Sequence, residues 1–92
     1  MGTIVILTGY TYNAAIQRLS LAEQSEFYTY RHVMTPAQER TYLAKATAAE
    51  RTAYLSEIGL AQRFQAFDPQ DRHTVLSGVP RQGVSAEALF FI

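Results

Sequence analysis

Along residues 13–34 the apolar positions recur at helical spacing. Ile16, Leu19, Ala22, Phe27, Tyr30 and Met34 approximate one face, with Ala15 beside them. Asn13 is a fair N-cap. Ser20-Leu21-Ala22-Glu23 pairs a capping Ser with an acid three residues on, so this helix either runs through or restarts near Ser20. Residues 35–67 then write one pattern twice. Thr35-Pro36-Ala37-Gln38-Glu39-Arg40-Thr41-Tyr42-Leu43 is answered by Thr47-Ala48-Ala49-Glu50-Arg51-Thr52-Ala53-Tyr54-Leu55, and each copy opens on a Thr with Gln38 or Glu50 at the capping-box position. Pro36 stands at the first helical position, where its missing N–H costs nothing. The spacing predicts two consecutive helices, the second the longer. Its apolar face is Tyr54, Ile58, Ala61 and Phe64, extended by Leu55 and Phe67, with Gly59 either allowing a close crossing or marking a bend.

Over residues 68–92 the punctuation predicts short helices. Asp68 caps, Pro69 follows at N1, and Asp71 puts negative charge in the first turn. Val75 and Leu76 lie in this helix, which stops at Ser77-Gly78 before Pro80. Ser85 caps a last helix that ends in Phe90-Phe91-Ile92 with no polar turn behind it, so these residues are either buried or followed by more chain. In residues 1–12, Gly2-Thr3-Ile4-Val5-Ile6-Leu7-Thr8-Gly9 is a β-branched run between glycines and reads as a strand or extended segment. The fold class is therefore mainly α. We expect a small bundle of four to five short helices with a short N-terminal strand or extended segment, forming one small domain or the ordered part of a longer chain.

Composition narrows the partners more than the chemistry. Of the 92 residues, 48% are hydrophobic and 17% charged, below the usual quarter of charged residues. The chain is too apolar for disorder, and its low charge favours a partner. Eight basic residues balance eight acidic ones, so no net field exists to attract a phosphate backbone and no nucleic-acid partner is expected. There is no Cys, which removes disulfides and sulfur-based zinc sites. No apolar run approaches the ~20 residues of a membrane-spanning helix, which leaves peripheral membrane association open.

Candidate chemistry is sparse. His32 and His73 have no metal-ligand spacing, and His73 belongs on a solvated helix face. Glu23 and Glu26 share a face and could hold a cation, but nothing supplies the remaining ligands, so they read as a solvated pair. No nucleophile elbow or phosphate loop is present. We therefore expect no catalytic residue, no metal and no cofactor, and a chain that is not an enzyme. The aromatics are another matter. Phe27, Tyr28 and Tyr30 crowd three rings into four residues, more than one buried stripe accepts. Together with Phe90, Phe91 and Ile92 they are the candidate partner-binding residues.

The repeated Thr-x-x-Glu/Gln…Tyr-Leu pattern of residues 35–55 resembles the helical segment of bacterial envelope proteins named for a Gly-Trp-x-Thr-Asp motif, often lipoproteins. Val75-Leu76-Ser77-Gly78 and Gly83-Val84-Ser85-Ala86-Glu87-Ala88-Leu89 are similar to the start of small outer-membrane lipoprotein modules. The chain lacks the Gly-Trp-x-Thr-Asp motif, and it stops before the Gly-x-Pro that would normally follow such a helix. Leu7-Thr8-Gly9 matches the first three residues of a lipobox, but Tyr10 stands where the lipidated Cys belongs, and no basic residue precedes the run. The resemblance implies a non-enzymatic protein of the bacterial cell envelope or periplasm, with the cytoplasm still open, and carries over no functional residue. The leading expectation is a structural or interaction subunit of a larger assembly, bound to other protein subunits. The alternative is a small-ligand or lipid-binding helical module with a pocket lined by Tyr28, Tyr30, Tyr42, Tyr54 and Phe64.

Overall fold

The start and stop residues of the sequence cut the chain into short helices, and a computed structural model describes them over residues 13–92. The expected strand or extended segment at residues 1–12 lies outside the described residues. Helix α1 is seen over residues 13–17. It is followed by α2 (Leu21–Tyr30), a 3-10 turn (Arg31–Val33), α3 (Pro36–Ala44), α4 (Ala48–Glu57), α5 (Leu60–Gln65), α6 (Pro69–Ser77) and α7 (Ala86–Leu89). Among the described residues there is no strand, and the fold is the mainly α small bundle that the pattern predicts.

Local chemistry sets each boundary. Ser20 accepts the Glu23 amide at 3.2 Å, so the stretch 13–34 restarts at Ser20 instead of running as one helix. Thr35 and Gln38 close a full capping box, at 3.1 and 2.9 Å. In the second copy Thr47 accepts the Glu50 amide and donates its own hydroxyl to the Glu50 carboxylate, both at 3.1 Å. The expected long helix after Thr47 is divided at Gly59, whose φ of 82° is left-handed and ends α4 before α5 begins. Gly59 is thus a break, not a crossing point. Asp68 caps α6 at 2.8 Å, and Gly78 stops it with φ 72°.

The core gathers residues from every helix. Phe27, Tyr42, Leu55, Thr74 and Phe91 are its largest fully buried side chains. Phe27 of α2 meets Tyr42 of α3 with ring centroids 5.7 Å apart. A second aromatic group joins distant parts of the chain: Tyr30 lies edge-on to Phe64 at 5.8 Å and to Phe91 at 5.9 Å, and Phe67 stands at 5.2 Å from Phe91. Of the predicted faces, Ala22 alone falls in solvent among the residues named for the first helix, because the restart at Ser20 rotates it out. Buried hydroxyls are answered locally, Thr29 by the Ser25 carbonyl at 2.8 Å and Thr74 by the Gln70 carbonyl at 3.0 Å.

Candidate functional site

Of the six residues expected to meet a partner, three are claimed by the chain's own core. Phe27, Tyr30 and Phe91 are buried, with Phe27 having no exposed surface at all. The two candidate groups, one near residue 28 and one near residue 91, lie far apart in the sequence. Tyr30 and Phe91 nevertheless pack edge to face against each other. Tyr28 and Phe90 remain exposed and Ile92 is half-buried. Tyr28 is partly covered from its own helix end, since the Arg31 guanidinium lies 5.5 Å from its ring centre.

Most of the remaining exposed apolar residues belong to the last two helices and the turns beside them. Leu76, Val79, Leu89 and Phe90 are four of the six large hydrophobic residues left in solvent among the described residues, and all belong to α6, α7 or the turns that follow them. These two helices pack on each other. Their connection is held by Arg81, which reaches back to donate to Thr74 Oγ1 at 2.9 Å and to Asp71 Oδ1 at 3.1 Å, and forward to the Gln82 carbonyl at 3.1 Å. Asp71 is only 5% exposed. It was read as a helix-dipole charge and also serves as the buried anchor of the loop. Ser85 then caps α7 through the Ala88 amide at 3.2 Å. With Ala88 and Phe91 turned inward, Leu89 and Phe90 between them must face out. Phe90 is 63% exposed.

A polar seam runs between α2, α3 and α4. Glu26 accepts the Tyr42 hydroxyl at 2.7 Å and the Thr52 hydroxyl at 2.9 Å. Glu23 pairs with Arg51, whose other terminal nitrogen donates to the Lys45 carbonyl at 3.0 Å. The two glutamates are therefore not the solvated pair expected of them, and each answers a donor from a different helix. Burial, then the hydrogen bond to Glu26, pushes the Tyr42 phenol far above its ordinary range. Burial, then the Glu26 charge, raises Tyr30. Both phenols are held protonated, Tyr42 as a fixed donor. His32 and His73 are exposed. Among the described residues no group of three His, Cys, Asp or Glu side chains is placed to hold a metal, and no helix is long and apolar enough to cross a membrane.

Beside the seam, a cleft of about 230 Å³ opens where α1, the end of α3 and the start of α4 meet. None of the five aromatics expected to wall a pocket lines it. Tyr30, Tyr42 and Phe64 fill the core instead. Comparison with known protein families, with curated proteins and with solved structures gives no match to this chain.

Proposed function

We propose that this chain is a non-enzymatic interaction subunit that docks on another protein through the apolar end formed by α6 and α7. The observation that carries the reading is Phe90, a large ring held 63% exposed by a helix end whose Ala88 and Phe91 are locked in the core. Covering a ring of this kind contributes on the order of 2 kcal/mol to association, and Leu76, Val79 and Leu89 supply further apolar surface on the same helix pair. The low charge of the chain removes the usual opposition to such contact. Placement in the bacterial envelope is part of this proposal and is supported by the resemblance of residues 35–92 alone.

The test is the solution mass by light scattering, followed from micromolar to millimolar protein. We expect association above the 10.3 kDa of a single chain, reduced by Phe90→Ser at an unchanged melting temperature. A monomer at every concentration overturns the reading.

A further inference from the structure

The charged side chains that line the cleft at the junction of α1, α3 and α4 are all basic. Arg18, Lys45 and Arg51 line it, three of the eight basic side chains in the chain, and no Asp or Glu is among its lining residues. The remaining wall is small and apolar, with Leu19 and Leu43 at its larger positions. These cations are not equally engaged. Arg51 is 7% exposed and uses its two terminal nitrogens on Glu23 and the Lys45 carbonyl, while its Nε has no partner. Lys45 rests its ammonium 5.3 Å from the Tyr54 ring centre. Arg18 is exposed and forms no ion pair among the described residues.

We infer that this cleft binds a small organic anion, a carboxylate on a short apolar body. One guanidinium fixed by the fold and one free at the rim suit a bidentate anion. The alanine and leucine side chains leave a small apolar surface beside the guanidinium groups, enough for a short hydrocarbon portion only, and the volume lies below the roughly 300 Å³ at which pockets for drug-sized ligands begin. Arg18 is the residue that would close on the anion. Arg51 orients the site and is also part of the seam that holds α2 to α4, so it is left intact in the test.

The experiment follows backbone amide shifts of the whole chain at low salt during titration with butanoate, with butanamide and inorganic phosphate as controls. We expect saturable shifts at Leu19, Ala44 and Ala46 with butanoate, weakened about five- to tenfold by Arg18→Gln. The melting temperature of that variant should match the parent. Absence of saturation overturns the inference. So does equal binding of butanamide, which would show that charge plays no part, or equal binding of phosphate, which would show that the apolar wall plays none. Indifference to Arg18→Gln also overturns it. A gain from butanoate to octanoate assigns the site to fatty acids with the tail outside the cleft, and no gain assigns it to free short-chain acids; both keep the anion site.

Discussion

Tyr42 is buried completely, yet its hydroxyl must find a partner, and the Glu26 carboxylate supplies one at 2.7 Å. The pairing holds the phenol protonated in the fold well beyond the pH at which an unfolded chain releases the proton. The folded pKa is raised, so the contribution to stability is complete below about pH 10 and is lost as pH climbs toward the folded value. We expect unfolding free energy to fall above pH 10 by up to about 1.4 kcal/mol per pH unit for each withheld phenol. Tyr30, raised by burial, adds to the same fall. Tyr42→Phe should lower stability near neutral pH by about 1–2 kcal/mol and flatten the alkaline slope; equal slopes in denaturant titrations of the two proteins would refute the assignment. At this scale the caps at Thr35, Thr47, Asp68 and Ser85 were legible, because a cap acts within three residues. The pairs Glu23–Arg51 and Asp71–Arg81 were not, since their members are far apart in sequence and meet only when the helices pack.

Helix lengths were legible where a cap and a breaker agree, as in α6. They were ambiguous at Ser20 and Gly59, where an apolar stripe continues across the interruption and periodicity alone favours one long helix. The fold sides with the backbone. Gly59 is a sensitive position although its surroundings are empty: a Cβ placed there meets nothing within 4 Å, but the left-handed φ penalises any other residue. Gly59→Ala should therefore cost about 1–2 kcal/mol, measurable by chemical denaturation. A neutral or stabilising effect would mean that α4 and α5 fuse without loss.

For the molecule as a whole, the mainly α class and most of the core were readable from the stripes, whereas the division of the aromatics between core and surface was not. Sequence crowding shows that Phe27, Tyr28 and Tyr30 cannot all be buried on one stripe, but not that Phe91 returns to meet Tyr30. Two adjacent residues make the contrast measurable. Phe91, 2% exposed and in contact with three other rings, should cost about 3 kcal/mol or more when changed to Ala. Phe90→Ala should stay within about 0.5 kcal/mol. Similar losses at both positions would place the α7 turn in a different rotation.

The ring of Phe91 also imposes an order of events on biosynthesis. Tyr30, Phe64 and Phe67 are synthesised before the side chain that closes their cluster. Chains emerge N-terminus first, so a nascent chain carrying α2 through α6 has an open aromatic face that Phe91 later covers. Until Phe91 joins it, that face is a place for a chaperone to hold.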